Sequence, residues 1–470
     1  MIETVIRVLL KRKFFIQQSS INNSLASIRY IDQGMKVQSN VVVRPARNIR
    51  GSVELPGDKS ISHRYGMLAG IAEGPSRIEN YSTGADCAST LGCMRAMGVK
   101  WERKSKDQNV IEVQGRGLSL AAPATPLDCG NSGSTMRMLS GIVAGQSFTS
   151  EMIGDQSLSR RPMERIIKPL SAMGARIESY QGKPPLRITG GPLKPIDYKM
   201  PVASAQVKSC LLFAALFADG EMRVEESVRT RDHGELALRA FGAQLQRKKA
   251  DGGSEVRIRG GQRLHGIEAR VPGDLSSAAF FLCAAALFPG SQLTLPNLLM
   301  NPTRARLLDI LMQMGLHISV TQIEEIHGEM VGSLQIGGAT LKGTTIAGAD
   351  SAKLIDEIPV LAAIAPFTDQ GIEVRDAKEL RVKESDRISA VATNLRKMGA
   401  QVEEFEDGLK IPGKQTLHGA ELDAFDDHRI AMAFAIAALR AEGETVIQGA
   451  EAAAISYPAF FENLEELTAR

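Results

Sequence analysis

Basic residues recur at the start of long apolar stretches, where the sequence predicts that helices begin. The first turn of a helix exposes free backbone N–H groups and a positive partial charge, so it binds anions well. Lysine and arginine add full charges suited to phosphate and carboxylate groups. This pattern predicts one or two small anionic ligands, bound by Lys59, Arg64, Arg161, Arg231, Lys383, Arg387 and Arg429.

Small and amide side chains lie beside these cations. Gly133, within Asn131-Ser132-Gly133, would let the backbone approach a ligand closely. Ser204-Ala205-Gln206 opens another apolar stretch in the same way. Each segment alone is also typical of an ordinary capped helix with a solvated Lys or Arg. The interpretation as a ligand site therefore rests on the whole set.

Two acidic residues could exchange protons with such a ligand. Asp356 lies in the apolar segment 354–359, and Glu384 lies within a basic segment that includes Lys383 and Arg387. A carboxylate in such surroundings can act as an acid or a base, although a structural ion-pair network is the alternative for Glu384.

Asp427-His428 is compatible with a helix cap or a metal ligand. Further ligands at suitable spacing are lacking, so we expect no metal.

The net charge of +3 over 470 residues is distributed unevenly. Residues 1–34 hold five basic and two acidic residues, which leaves the rest of the chain neutral overall. A neutral body lacks the charge pattern of a general nucleic-acid binder. The cations at the predicted helix starts therefore indicate a small-anion site rather than a nucleic-acid face.

The sequence contains no run of 18 apolar residues, so we expect no membrane span. Its five cysteines are scattered without a CxxC pair, which favours reduced thiols and a cytoplasmic protein.

Residues 1–34 are basic and serine-containing, loosely like an organellar transit peptide. We favour a dispensable N-terminal extension, because a far more regular sequence begins at Met35.

A repeat organises the remainder of the chain. Five glycines each follow a predicted helix and precede an alternating strand, and a second strand returns soon afterwards. They occur in Met97-Gly98, Met173-Gly174, Phe241-Gly242, Met314-Gly315 and Met398-Gly399. Together with the polar helix starts they predict six units of about 70 residues. The last unit is predicted to lack its second helix and hairpin.

The first helix of each unit is almost wholly apolar, as in the uncharged segment 280–288. Helices that are apolar on every side belong inside a protein, so we expect sheets wrapped around buried helices. Six units suggest two lobes of three. The matching segments Pro56-Gly57-Asp58 and Pro272-Gly273-Asp274 are the expected crossovers. The prediction is a discontinuous first lobe, residues 35–57 plus 273–470, and a second lobe, residues 58–272, with the site in the cleft between them.

The motifs together resemble those of the 5-enolpyruvylshikimate-3-phosphate synthase family. The resemblance runs in order from about residue 44 to the C-terminus. It is carried by segment 55–64, Gly130-Asn131-Ser132-Gly133, Arg161-Pro162, Ser204-Ala205-Gln206, Arg231-Asp232-His233, segment 380–387 and Asp427-His428-Arg429. It implies an α/β fold of two domains, an inside-out α/β barrel built from six βαβαββ-type repeats with buried helices.

The resemblance also implies a reaction and its residues. Enolpyruvyl would pass from phosphoenolpyruvate to the 5-hydroxyl of shikimate 3-phosphate, with release of phosphate and without a metal or organic cofactor. Asp356 would take the hydroxyl proton, Glu384 would protonate the methylene carbon, and Lys59 would take part in catalysis. Phosphoenolpyruvate would contact Lys59, Gly133, Arg161, Gln206, Arg387 and Arg429. Shikimate 3-phosphate would contact Ser60, Arg64, Ser204, Ala205, Gln206, Arg231, Asp356 and Lys383, and Asn131 is counted among the substrate-binding residues. A monomer is expected.

The chain departs from the family pattern at Ile455, where many members carry a lysine. The related UDP-N-acetylglucosamine enolpyruvyl transferases are the nearest alternative. They use a loop cysteine shortly before their Arg-Pro pair, and segment 154–161 contains none. A non-catalytic anion-binding protein is a second alternative, which would not explain Asp356 and Glu384 beside the cations.

Overall fold

The computed structural model describes residues 39–105, 109–250 and 253–469 of the protein. These residues form a mixed α/β fold, in which helices fill the interior and six sheets surround them. The predicted extension, residues 1–34, lies outside the described residues.

Thirteen α-helices lie within the described ranges. They are α1 Lys59–Ile71, α2 Ala85–Ala96, α3 Gly133–Ala144, α4 Glu164–Ala172, α5 Ala205–Ala215, α6 His233–Ala240, α7 Leu275–Ala286, α8 Arg306–Gln313, α9 Ala349–Lys353, α10 Ile358–Ile364, α11 Arg387–Lys397, α12 His428–Ala438 and α13 Phe460–Leu467. Short 3₁₀ helices cover Leu158–Arg160, Ala365–Phe367, Lys378–Val382 and Ala450–Ile455.

Twenty-four strands occupy the same part of the chain. They are β1 Val41–Val43, β2 Asn48–Ser52, β3 Glu73–Glu79, β4 Lys100–Ser105, β5 Val110–Arg116, β6 Leu127–Asp128, β7 Thr149–Ile153, β8 Arg176–Tyr180, β9 Lys183–Thr189, β10 Asp197–Lys199, β11 Glu221–Glu226, β12 Leu245–Ala250, β13 Gly253–Arg259, β14 Glu268–Arg270, β15 Gln292–Leu299, β16 His317–Ile326, β17 Glu329–Gly337, β18 Thr344–Ile346, β19 Ile372–Val374, β20 Glu403–Phe405, β21 Gly408–Ile411, β22 Glu421–Asp423, β23 Thr445–Gln448 and β24 Thr468–Ala469.

Local sequence sets both ends of the repeating helices. The Asp58 side chain accepts a hydrogen bond from the backbone N–H of Ile61 and caps α1, and Asp274 caps α7 in the same way. The five predicted glycines have φ between 86° and 110° and each lies just beyond a helix. Glycine adopts this left-handed conformation without the Cβ penalty of other residues, so the predicted helix stops are confirmed.

The sheets repeat one arrangement. Five of them contain an antiparallel hairpin and a parallel pair, as in the order β10-β11-β13-β12. The strand before each crossover pairs with the first strand after the other crossover, because β14 pairs with β3 and β2 pairs with β15, both in parallel. These exchanges close one set of three sheets around residues 58–272. The other three sheets are formed by the rest of the chain.

Buried apolar side chains form two clusters. One, here called the first core, is built from residues 43–55 and 275–467. The second core is built from residues 61–271 with the single addition of Leu299. Every residue of α7 and α12 is buried in the first core, as predicted for helices that are apolar on every side.

The crossovers lie side by side. The N–H of Asp58 donates to the carbonyl of Pro272 at 2.7 Å, and the N–H of Asp274 donates to that of Pro56 at 2.9 Å. A Cβ at Gly57 would lie 1.8 Å from the carbonyl oxygen of Asn80, so only glycine permits this approach. The starts of α1 and α7 are therefore held next to each other.

The end of the chain differs from the prediction. The last unit contains a second helix, α13, followed by the short strand β24, which pairs with β2. Phe460, Leu464 and Leu467 lie on one face of α13 and are buried. Their i, i+4, i+7 spacing is typical of an amphipathic helix and could have predicted α13. Packing against β2 stabilises this short helix.

All five cysteines are free and buried. Within residues 39–105, 109–250 and 253–469, no helix is long and apolar enough to cross a membrane.

Candidate active site

The predicted helix starts converge where the two cores meet. The second core contributes the starts of α1, α3 and α5 and the segments around Arg161 and Arg231. The first core contributes Asp356 before α10, the segment Lys383 to Arg387 and the start of α12. Two carboxylates, Glu384 and Asp356, are the centres of the charge network that results.

Glu384 lies between arginines from both cores. Its Oε2 accepts from Nη2 of Arg387 at 2.6 Å, and its Oε1 lies 3.4 Å from Nη1 of Arg161. The hydroxyl of Ser157 donates to the backbone carbonyl of Glu384 at 3.3 Å. Glu384 therefore joins the second core to the first through both its side chain and its backbone.

Asp356 has a similar environment. Nη2 of Arg231 donates to its Oδ2 at 2.7 Å, and Nη1 of Arg387 lies 3.7 Å from its Oδ1. Arg429 donates to the Asp356 backbone carbonyl at 2.8 Å. Arg387 is buried and touches both Asp356 and Glu384, so one guanidinium links the two candidate proton carriers.

These charges shift the acidity of both carboxylates. Burial alone would raise the pKa of Asp356, but Arg429, Arg231 and other cations hold it well below the usual value of 3.8. Burial alone would also raise the pKa of Glu384, but Arg387 and Arg161 hold it well below the usual value of 4.5. Burial lowers the pKa of Lys383, and Asp356 partly offsets that effect. Both acids are therefore ionised at neutral pH.

Lys59 lies in the first turn of α1. Its Nζ lies 2.9 Å from Oδ2 of Asp86, which is in the first turn of α2. Burial alone would lower the pKa of Lys59, but Asp86 raises it. The ammonium group is therefore charged and held in place by Asp86.

Asn131 and Arg161 are joined directly. Nη2 of Arg161 donates to Oδ1 of Asn131 at 2.8 Å, and Nδ2 of Asn131 donates to Asp155 at 2.7 Å. A Cβ at Gly133 would lie 2.9 Å from Nη1 of Arg137 and 3.4 Å from Nη1 of Arg161. Gly133 therefore leaves room for two guanidinium groups.

Gln206 connects α5 to the same loop. Its Oε1 accepts from Nη1 of Arg137 at 2.8 Å, and its Nε2 donates to the hydroxyl of Ser134 at 2.9 Å. Arg137 is buried enough that desolvation and the charge of Arg161 lower its pKa to about 10. Three predicted site residues, Gly133, Arg161 and Gln206, thus surround Arg137.

Ser60, Arg64, Ser204 and Ala205 form an adjoining group. Nη1 of Arg64 donates to the carbonyl of Ser60 at 2.7 Å, and its Nη2 donates to the carbonyl of Ala205 at 3.4 Å. Its Nε and Nη2 also donate to the hydroxyl of Ser209. Ser204 caps α5 by accepting from the N–H of Val207. Arg64 therefore joins the start of α1 to the start of α5.

Asp427 and His428 lie at the start of α12. Asp427 caps α12 by accepting from the N–H of Arg429 at 2.9 Å and also accepts from Nε of Arg387 at 2.8 Å. Burial and the nearby cations lower the pKa of His428 well below 6.5, which keeps the ring neutral. In the described ranges, no three His, Cys, Asp or Glu side chains are grouped as metal ligands would be.

The predicted site residues lie in one region of the structure, but several of their partners were not predicted. Asp86 is an isolated acid in the sequence, and nothing around it predicts that it pairs with Lys59. Arg137 lies four residues after Gly133, one helical turn away, and this spacing could have identified it. Arg165 of the second core and Glu379 of the first pair at 2.9 Å, which the sequence did not indicate.

The arrangement suits a ligand, or two ligands, with several negative charges. Guanidinium, ammonium and helix-start N–H groups converge from both cores, and bidentate arginines are suited to phosphate and carboxylate. Two carboxylates within the same cation network can move protons to and from such ligands. The geometry is compatible with chemistry that joins two anionic molecules.

Comparisons with known proteins agree with this geometry. The family described as EPSP synthase (3-phosphoshikimate 1-carboxyvinyltransferase) matches residues 43–464. The 3-phosphoshikimate 1-carboxyvinyltransferase of Koribacter versatilis is 60% identical over 431 residues, covering 92% of this chain and all of the relative. That of Solibacter usitatus is 54% identical over 427 residues, covering 90% and 99%.

The solved structures give the same result. The EPSP synthase of Acinetobacter baumannii at 2.37 Å superposes with a TM-score of 0.81 at 41% identity, covering 92% of this chain and 98% of the other. A family match over most of the chain, together with relatives of this identity, goes beyond a shared fold. The chain belongs to the EPSP synthase family.

Proposed function

We propose that the protein transfers the enolpyruvyl group of phosphoenolpyruvate to the 5-hydroxyl of shikimate 3-phosphate and releases phosphate. The observation that carries this proposal is the position of Asp356 and Glu384 among cations of both cores. Both substrates are polyanions, and an addition between them accumulates negative charge that convergent Arg and Lys stabilise.

Phosphoenolpyruvate is assigned to the side of the cleft around Glu384. Its phosphate and carboxylate would be bound by Lys59, Gly133, Arg161, Gln206, Arg387 and Arg429. Arg161 and Arg387 contact Glu384 in the structure. Binding of phosphoenolpyruvate would therefore compete for these arginines and raise the pKa of Glu384 toward a range in which it can donate a proton.

Shikimate 3-phosphate is assigned to the neighbouring group. It would contact Ser60, Arg64, Ser204, Ala205, Gln206, Arg231, Asp356 and Lys383, with Asn131 completing the wall of the cleft. Arg231 pairs with Asp356 in the structure. A phosphate that draws Arg231 away would leave Asp356 a stronger base at the moment its substrate hydroxyl arrives.

The reaction then follows as addition and elimination. The Asp356 carboxylate takes the proton of the 5-hydroxyl, and the oxygen of that hydroxyl bonds to the central carbon of phosphoenolpyruvate. Glu384 gives a proton to the methylene carbon, which becomes a methyl group in a tetrahedral adduct. The Glu384 carboxylate then takes a proton back from that methyl group, and cleavage of the carbon–oxygen bond to phosphate restores the double bond. Lys59 would stabilise the departing phosphate.

We further propose that the two cores belong to two lobes, residues 35–57 plus 273–470 and residues 58–272, that close on the substrates. The hydrophobic clusters fall almost entirely on either side of these limits. Closure would orient two mobile substrates and exclude water. A monomeric protein in the cytoplasm is part of this proposal, and the free cysteines are compatible with a reducing compartment.

A phosphate-release assay tests the proposed function. The purified protein is mixed with shikimate 3-phosphate and phosphoenolpyruvate, and inorganic phosphate is measured together with the carboxyvinyl product by mass spectrometry. We expect one product per phosphate, and no release when UDP-N-acetylglucosamine replaces shikimate 3-phosphate. No release with both expected substrates would contradict the proposal.

A further inference from the structure

Arg304 is a buried cation that none of the steps above uses. It lies between β15 and α8, and only 5% of its surface is exposed. Nη2 of Arg304 donates to the hydroxyl of Ser276 at 2.6 Å, in the first turn of α7. A buried charge is costly unless it is paired, so its surroundings should explain its presence.

Three buried carboxylates surround this guanidinium. Nη1 lies 3.8 Å from Asp58, and Nη2 lies 3.9 Å from Asp274 and 3.8 Å from Glu357. The hydroxyl of Ser276 also donates to Glu357. Asp58 and Asp274 are the caps of the two crossover helices, and Glu357 directly follows Asp356.

These contacts connect the two halves of the proposed reaction. Asp58 precedes Lys59, and Oδ2 of Asp274 also accepts from the backbone N–H of Lys59 at 3.3 Å. Glu357 fixes the backbone immediately after Asp356. Lys59 belongs to a helix of the second core and Asp356 to the first, so Arg304 joins the supports of both from behind the cleft.

We propose that Arg304 is a positioning residue, which sets the separation of Lys59 and Asp356 by holding Asp58, Asp274 and Glu357 around one guanidinium. This inference rests on the proposed roles of Lys59 and Asp356. Arg304 itself touches no substrate in this account. A displacement of about 1 Å between reacting groups can cost a hundredfold in rate, so such a support should affect turnover more than binding.

Arg304→Met and Arg304→Lys test the proposal in the full-length protein. For Arg304→Met we expect kcat per folded enzyme to fall about a hundredfold, while the Kd for shikimate 3-phosphate alone changes less than about threefold. Arg304→Lys keeps the charge and should recover about tenfold of that loss. Calorimetry measures the binding, and thermal unfolding measures the folded fraction.

A matched control separates positioning from stability. Leu311→Ala removes a buried side chain from α8, close to Arg304 in sequence, and should lower Tm while leaving kcat per folded enzyme unchanged. Ser276→Ala removes the hydrogen bond that joins Arg304 to Glu357 and should lower kcat about fivefold with the fold intact. This variant decides the matter if Arg304→Met does not fold.

The outcomes are distinct. Unchanged kcat in Ser276→Ala and in either folded Arg304 variant would overturn the inference, as would a loss that Leu311→Ala reproduces. An inactive wild-type protein would instead refute the proposed function. Loss of kcat with retained binding, partly recovered by Arg304→Lys, would support the positioning role.

Discussion

Nη2 of Arg231 lies 2.7 Å from Oδ2 of Asp356, although the two residues are 125 positions apart and belong to different cores. The pair places a cation assigned to shikimate 3-phosphate against the carboxylate assigned as the base. Arg161 and Glu384 repeat this arrangement at 3.4 Å. Each acid therefore neutralises an arginine that is assigned to a substrate.

Asp356→Ala should lower kcat by about 10³-fold, because general base catalysis typically contributes 10²- to 10⁴-fold. Arg231 loses its partner in this variant but remains available for phosphate, so the Kd for shikimate 3-phosphate should change far less. Steady-state kinetics and calorimetry measure the two effects. Asp350→Ala is the control, because Asp350 pairs with Arg306 rather than with a site residue. Unchanged turnover in Asp356→Ala would remove Asp356 from the role of base.

Glu384→Gln should abolish proton transfer to the methylene carbon while keeping the shape of the side chain. In deuterated water the wild-type protein should place deuterium in the methylene group of phosphoenolpyruvate, since the methyl group of the adduct can lose either isotope. The rate of this exchange, followed by mass spectrometry, should fall at least a hundredfold. Glu379→Gln, which alters the neighbouring pair with Arg165, should retain the exchange. Equal exchange in both variants would exclude Glu384 as the acid.

Gly133→Ala should displace Arg137, because the new Cβ would lie 2.9 Å from its Nη1. Arg161 would be crowded at 3.4 Å. We expect the KM for phosphoenolpyruvate to rise about tenfold, a change of roughly 1.4 kcal/mol in binding, with little change in Tm. Gly191→Ala has open space around its Cβ and serves as the control. A KM equal to that of the wild type would show that Arg137 and Arg161 tolerate the extra methyl group.

Stability should depend on pH through the same two carboxylates. The pKa values of Asp356 and Glu384 in the folded protein lie well below 3.8 and 4.5, their usual values. The stabilisation they provide is therefore fully present above those usual values and is lost as the pH falls through the folded pKa values. The unfolding free energy of wild-type protein should fall more steeply below pH 4.5 than that of Asp356→Asn. Denaturant titrations at several pH values measure both slopes, and parallel curves would contradict the assignment.

Much of the repeat could be predicted because its determinants are local. Capping by Asp58 or Asp274 involves only the next three residues, and a left-handed glycine such as Gly315 ends a helix wherever it occurs. The apolar character of α7 likewise predicted that it would be buried. The helix α13 was not predicted, for the opposite reason. A helix this short depends on packing against a strand that is distant in the sequence.

The sequence by itself determined where helices start and stop and which side chains could bind anions, because these depend on residue type and near neighbours. Only the tertiary structure decided that Arg387 touches both Asp356 and Glu384, that Asp86 pairs with Lys59, and that Arg304 is shared by three carboxylates. Such partners come from different elements and, in part, from different cores. Their approach is set by the packing of buried helices and the crossing of the chain, and no local pattern specifies those distances.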